Sequence, residues 1–373
     1  MNNGPNKVTI DLSALVHNLR QIRTLTGKAT RIMGIIKSEA YGHGLLPVAQ
    51  TLERDGVDFL GVAHIREGLE LRKNGIKSPI AILCGIQTRE EACEVVEKEL
   101  TPVIFDLRVA EILDQESARK KRKTRVHLKV DTGMGRLGVV HTEVRPFVQK
   151  VAALRNLTLE ALVSHLSSAD EPGGDFTQAQ IEHFEEAIEA GRSTGLDLPL
   201  NNLANSAGVM GYPKAHFDMV RPGIMLYGGL PSPVFKSKIP LKPAMRLSGR
   251  ISQIRVIPHH TPISYGRTYY TKGPRRIAIL STGYGDGLPR IMSNRGEVLI
   301  RGTRVPIVGM ICMNLTTCDI TGLGDVSPGS EAVFLGSQGQ ETITGDEIAK
   351  WAETISYEVF CSIGLRNEKD YVL

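Results

Sequence analysis

Lys37 closes a hydrophobic run, Ile32-Met33-Gly34-Ile35-Ile36, and is followed by Ser38-Glu39-Ala40-Tyr41-Gly42-His43-Gly44. Burying an ammonium at the end of such a run favours the neutral amine. That form attacks a carbonyl to give a Schiff base. A surface lysine whose stem lies along apolar residues is the other reading, and position alone supports both. Similar polar groups end later apolar runs: Lys129-Val130-Asp131-Thr132-Gly133-Met134-Gly135-Arg136, then His165, then Asn205-Ser206, then Arg221-Pro222-Gly223-Ile224 with Tyr227. Ser206 offers a hydroxyl, and Gly223 and Ile224 offer backbone N–H groups that an anion can approach closely. Read alone, Ser206 is equally a helix N-cap. A lysine and a phosphate cradle together suggest pyridoxal phosphate, which needs both an amine and an anchor.

The elements that must position these residues are legible in the apolar spacing. Short β-branched runs at 32–37, 59–63, 80–84, 101–105, 126–130, 159–165, 198–203 and 219–227 alternate with helical stretches such as 12–23, 65–74, 89–98 and 178–190. Eight strands alternating with helices predict an α/β fold, an N-terminal (β/α)8 TIM barrel. An open doubly wound sheet is the competing arrangement, but no glycine-rich dinucleotide fingerprint follows the first strand. In a barrel, working groups sit at the C-terminal ends of strands. The residues above fall there, which a purely structural barrel would not require. The pattern changes at Pro231-Ser232-Pro233, with Pro240 and Pro243 close behind, marking a linker. Strand signals at 249–256, 276–280, 297–300, 303–308 and 332–335 then predict a C-terminal mainly-β domain. One helix is expected over 345–354, with Thr344 and Glu347 in capping-box spacing. The expected division is 1–238 and 239–373, the first residues being free to pair with the β domain.

Composition sets the outer bounds. The chain has 373 residues, 41% hydrophobic and 23% charged, enough to bury a full core. Its five cysteines, Cys84, Cys93, Cys312, Cys318 and Cys361, show no zinc-site spacing and read as reduced cytosolic thiols, with no metal. The N-terminal Met1-Asn2-Asn3-Gly4-Pro5 has no basic region or apolar core of a leader, and no stretch reaches about 18 apolar residues. A cytoplasmic protein without membrane segments is expected. The basic run Arg119-Lys120-Lys121-Arg122-Lys123 reads as a solvated helix end before a buried strand, so no nucleic-acid partner is expected.

Lys37-x-x-Ala40-Tyr41-Gly42-His43-Gly44 looks like the cofactor-lysine motif of bacterial alanine racemases. The likeness spans nearly the whole chain and takes in the 127–136 segment, Ala204-Asn205-Ser206-Ala207, Arg221-Pro222-Gly223-Ile224, Ser264-Tyr265-Gly266, Gly283-Tyr284-Gly285-Asp286-Gly287 and Cys312-Met313. The resemblance implies a barrel followed by a β domain, pyridoxal phosphate as cofactor, and interconversion of L- and D-alanine, with D-alanine supplied for peptidoglycan. It implies that Lys37 binds the cofactor and is the base on one face of the substrate. Tyr265, reaching in from the partner of a head-to-tail homodimer, would be the base on the other. Tyr41, Asn205, Ser206, Gly223, Ile224 and Tyr357 would serve the phosphate end. Arg221 would donate to the pyridine nitrogen, and His165 would orient the ring. Arg136 and the partner-borne Met313 would bind the substrate carboxylate. Lys129 matches a lysine that is often carbamylated, and Asp170, Tyr284 and Arg290 match an access channel.

The sequence departs from that pattern at a few positions. Asn202 stands where histidine is usual, Met310 where arginine is common, and Asn314 where aspartate follows methionine. Losing both members of a channel ion pair strands neither charge. A serine or broader-specificity racemase of the same fold is the alternative enzyme. A barrel that manages pyridoxal phosphate levels is the non-enzyme alternative, though such proteins lack a second domain.

Overall fold

The structure, a computed structural model, describes residues 6–171, 173, 175–236 and 238–373. The reading of Met1–Pro5 as lacking a leader lies outside these residues.

The first helix shows how local sequence sets the elements. Asp11 accepts from the N–H groups of Ser13 and Ala14 and caps Leu12–Thr26. Ala14, Leu15, Asn18, Leu19 and Ile22 recur at helical spacing and are buried. Strands Arg31–Ile35, Phe59–Val62, Ile80–Ile82, Thr101–Ile104, Thr124–Asp131 and Leu157–Val163 follow, parallel and in sequence. Met219–Val220 returns to pair in parallel with Arg31–Ile35. The ring closes between them through residues 200–204. Asn202 bridges Val163, and Arg221 N donates to Ala204 O at 2.9 Å.

Two expected strands take another form. The run at 198–203 forms no regular strand; among the described residues it joins the ring through the bridge at Asn202 and backbone bonds such as Leu200 N to Glu160 O at 3.2 Å. The run at 219–227 is a strand only at Met219–Val220, and Ile224–Tyr227 coils into a 3-10 helix. Pro222 lacks the N–H a ladder needs, and Gly223 leaves extended geometry at φ −114°, ψ −86°. The second departure lies at the cavity described below, which Arg221, Gly223 and Ile224 line.

The second sheet runs in the order Thr303–Pro306, Glu297–Ile300, Glu331–Gln338, Met245–Ile257, Lys7–Asp11, Lys369–Val372, with Arg275–Leu280 also paired to Met245–Ile257. Lys7–Asp11 thus lies between a strand that follows the barrel and the last strand of the chain. One apolar core runs through both units, from Val8 to Ile363. Helix Gly345–Trp351 carries the capping box, Thr344 and Glu347 exchanging side-chain and backbone bonds. The basic run ends helix Leu107–Arg119, where Arg119, Lys120 and Arg122 pair with Glu116, Glu97 and Glu99.

Candidate active site

Lys37 sits where strand Arg31–Ile35 ends, and the chain then turns with the wrong hand. Ser38, Glu39, Ala40 and Tyr41 have φ of 55°, 55°, 52° and 55°. A left-handed backbone is disfavoured by roughly 1–2 kcal/mol per non-glycine residue. Close packing holds the turn from behind: a Cβ on Gly42 would lie 2.4 Å from Phe360 O, and one on Gly364 would lie 1.9 Å from Gly42 O. Helix Ser356–Arg366 can therefore seat against the turn only with glycine at both positions.

The turn opens into a cavity of about 470 Å³ at the C-terminal ends of the barrel strands. Lys37, Tyr41, Lys129, Arg136, His165, Asn205, Ser206, Arg221, Gly223, Ile224 and Tyr357 all line it. Four basic side chains, Lys37, Lys129, Arg136 and Arg221, face this space, and no aspartate or glutamate lines it.

Arg221 is buried, and its terminal nitrogens are held by neutral acceptors. One donates to Asn202 O at 2.9 Å and to Asn202 Oδ1; the other reaches Ser164 O, Leu203 O and His165 Nδ1, the last at 3.2 Å. Burial lowers the guanidinium to about 10, so it stays charged near neutral pH. His165, desolvated and facing Arg221, Lys129, Arg136 and Lys37, is held well below its ordinary value and is neutral. Because Arg221 donates to Nδ1, the ring proton belongs on Nε2. Lys129 is buried too, and desolvation followed by the charges of Arg221 and Arg136 holds it well below the usual lysine range. The guanidiniums of Arg221 and Arg136 both disfavour a charge on it.

At the other end, Ser206 Oγ accepts from Gly223 N at 3.0 Å and Met225 N at 3.5 Å. Asn205 is the N-cap of Ser206–Gly211, accepting from Gly208 N at 3.0 Å while its amide donates to Leu166 O. A Cβ on Gly223 would lie 2.3 Å from Tyr41 Oη, so only glycine lets that hydroxyl approach. Burial raises the phenols of Tyr41 and Tyr357, which leaves both as hydrogen-bond donors.

Tyr265, Met313, Asp170, Tyr284 and Arg290 do not line the cavity of their own chain. Tyr265 is 68% exposed on a tight turn anchored by Ser264 Oγ donating to Met310 O at 2.6 Å. Met313 is 57% exposed and lies beside Tyr284, with Gly285 N donating to Met313 O at 2.7 Å. Asp170 and Arg290 are also exposed. Ser38, Cys84 and Cys361 line the cavity but were not anticipated from sequence. Cys84 follows strand Ile80–Ile82 and was reachable by the strand-end rule. Cys361 lies on helix Ser356–Arg366, whose docking only the tertiary fold decides.

A larger cavity, about 720 Å³, lies at the opposite end of the barrel. Its guanidiniums already have partners: Arg72 donates to Ile76 O and Ser78 O, Arg122 to Val96 O and Glu97 O, and Arg125 pairs with Glu160.

His43, on the turn after Lys37, yields a pH prediction. It is fully buried against Tyr227, ring centroids 4.4 Å apart, and burial lowers it from 6.5 to about 4. Between those values the unfolded chain binds a proton that the native one refuses. Stability therefore falls as pH drops from 6.5 to about 4, by up to about 3 kcal/mol from this group. Urea unfolding at pH 7 and pH 4.5 should show a smaller acid loss in His43→Phe; an unchanged loss would remove His43 as its source.

Barrel, strand-end lysine and cationic cavity together define a barrel enzyme that holds a phosphorylated ligand beside an amine. Comparison with known proteins names the family. The alanine racemase N-terminal domain model matches residues 10–231, and the alanine racemase C-terminal domain model matches residues 244–371. The chain belongs to the alanine racemase family. It is 41% identical to alanine racemase 2 of Caldanaerobacter subterraneus, over 99% of this chain and 95% of that protein. It is also 41% identical to the alanine racemase of Syntrophobacter fumaroxidans, over 98% and 96% respectively. Among solved structures, the alanine racemase of Streptomyces lavendulae superposes with a TM-score of 0.94 at 31% identity, covering 100% of this chain and 98% of that one. The alanine racemase of Bartonella henselae, described with covalently bound pyridoxal phosphate, gives 0.87 at 28% identity, covering 99% and 100%.

Proposed function

We propose that this chain is a pyridoxal-phosphate-dependent alanine racemase whose two bases are Lys37 and Tyr265. One observation carries the reading: eleven residues picked from sequence converge on one cavity at the C-terminal ends of the barrel strands.

The cavity fits the cofactor. It is lined by basic side chains with no lining carboxylate, and it contains a glycine where a Cβ would collide with a buried hydroxyl. Tyr41, Tyr357, Ser206 and the backbone of Gly223 and Ile224 would hold the phosphate, with Asn205 fixing Ser206. Lys37 would hold the reactive carbon, and Arg221 would donate to the ring nitrogen. Bound there, pyridoxal phosphate supplies the electron sink that acidifies the α-hydrogen of an attached amino acid.

Lys37 takes or returns the α-proton on one face, and Tyr265 does so on the other. Arg221 stays protonated and does not hand its proton over, which keeps the sink weak and disfavours side reactions that need a long-lived carbanion. Neutral His165 keeps Arg221 in place without adding charge. Arg136 and the N–H of Met313 receive the substrate carboxylate. With its charge disfavoured, the amine of Lys129 is suited, in its neutral form, to add carbon dioxide with release of one proton, which would place a carbamate beside Arg221 and Arg136. Asp170, Tyr284 and Arg290 would line the approach.

Tyr265 and Met313 are exposed apolar residues on the second domain, and such surface belongs in an interface. In a head-to-tail homodimer each would reach the partner's cavity. Five unpaired cysteines suit a reducing cytoplasm, where D-alanine would serve peptidoglycan synthesis. No helix of the described residues is long and apolar enough to cross a membrane. The division between barrel and β domain is put at 238/239.

The direct test is deuterium uptake at the α-carbon across a panel of amino acids. Alanine should exchange fastest; serine or lysine exceeding it would overturn the substrate. Gly223→Ala should weaken cofactor binding by about tenfold or more, because a Cβ meets the Tyr41 hydroxyl. Fluorescence titration of the apo-protein reads this, and an unchanged dissociation constant would contradict the cradle.

A further inference from the structure

Four successive left-handed residues do not persist on local propensity, so contacts outside the turn must hold them. Backbone bonds tighten it, Ala40 N to Ile36 O at 2.8 Å and Gly42 N to Ser38 O at 3.1 Å. Gly42 and Gly364 hold its far end. The near end, next to the lysine, is held differently. The N–H of Ser38, the first left-handed residue, donates to Glu67 Oε1 at 2.6 Å. The other oxygen, Oε2, accepts from Ala63 N at 2.8 Å and His64 N at 3.1 Å.

Glu67 lies in the first turn of helix Ile65–Lys73, where a carboxylate is favoured by the helix dipole. That helix follows strand Phe59–Val62, which pairs in parallel with Arg31–Ile35, Ile35 opposite Gly61. Both oxygens of one carboxylate thus join the ends of adjacent barrel strands through charge-assisted bonds to backbone N–H groups. Glu67 does not line the cavity.

We infer that Glu67 is the positioning residue of Lys37: its carboxylate clamps the left-handed turn to the end of the neighbouring strand and thereby sets the lysine at the cavity. This rests on the reading of Lys37 as the cofactor lysine. Glu67 acts only through the backbone of Ser38.

Glu67→Gln tests the clamp selectively. The amide keeps one oxygen for Ala63 and His64 but presents its NH2 to the Ser38 N–H, donor against donor. If it turns round, it abandons the helix cap instead. In the holoenzyme, Glu67→Gln should raise the cofactor dissociation constant and lower kcat, each by about tenfold, with KM for alanine little changed. Adding Ser38→Gly should recover most of both, since glycine takes positive φ freely. A purely structural glutamate would lower Tm while leaving cofactor affinity and kcat of the folded fraction intact. Normal values in Glu67→Gln, or a deficit that Ser38→Gly does not relieve, would overturn the clamp. Borohydride fixation and peptide mapping of the wild-type protein separate the two levels. A label away from Lys37 defeats the underlying reading; a label on Lys37 with a normal Glu67→Gln defeats only the clamp.

Discussion

Replacing Lys37 with alanine should abolish racemisation and, with it, the visible absorption band of the lysine-bound cofactor. A positioned base contributes about a hundredfold to ten-thousandfold. The same side chain also forms the covalent link, so the combined loss should reach about ten-thousandfold or more. Stability should change little, because Lys37 is only half-buried and makes no ion pair among the described residues. The control is Lys129→Ala. Lys129 also faces the cavity, and as a buried amine whose charge is disfavoured it is the other candidate for the covalent link. Its place between Arg221 and Arg136 suits a carbamate better than a carbonyl carbon. The Lys129 variant should therefore keep the band while losing activity. A band that survives in Lys37→Ala and vanishes in Lys129→Ala would exchange the two roles.

Tyr265→Phe should produce an asymmetric defect. The ring remains and only the hydroxyl is lost, at a residue that is largely exposed in the single chain, so folding should be unaffected. Racemisation in both directions should fall by about a hundredfold to ten-thousandfold, since each direction needs both faces. Solvent exchange at the α-carbon should behave differently. Lys37 alone can still remove and return a proton on its own face, so one enantiomer should keep exchanging without inversion while the other does not. Nuclear magnetic resonance of L- and D-alanine incubated separately in deuterium oxide reads this directly. Equal residual exchange from both enantiomers would count against a two-face scheme.

Much of the site was legible because barrels place chemistry at one end of their strands. Lys37, Lys129, His165, Ser206 and Arg221 follow apolar runs in the sequence and share one cavity in the structure. Cys84 obeys the same rule and was overlooked. What stayed hidden depends on contacts distant in sequence. Nothing in Ser38-Glu39-Ala40-Tyr41 announces a left-handed turn, since each residue prefers the other hand; Gly364 and Glu67 impose it from 322 and 29 residues away from Gly42 and Ser38 respectively. The seventh strand looked regular because leucines recur at 198, 200 and 203, yet among the described residues it has one bridge, at Asn202, whose side chain turns to Arg221. Asn202 accepts from Arg221 while remaining neutral, so the guanidinium here has neutral partners alone.

The central claim is that each active site joins Lys37 of one chain to Tyr265 of another, and mixing two inactive variants tests it most directly. Lys37→Ala and Tyr265→Phe chains, each inactive as homodimers, are combined under conditions that allow subunit exchange. A mixed dimer then holds one site with both substitutions and one with neither. With random exchange half of the dimers are mixed, so activity should rise to about a quarter of the wild-type value. If both bases came from one chain, every site in the mixture would lack one of them, and the mixture would stay as inactive as its parts.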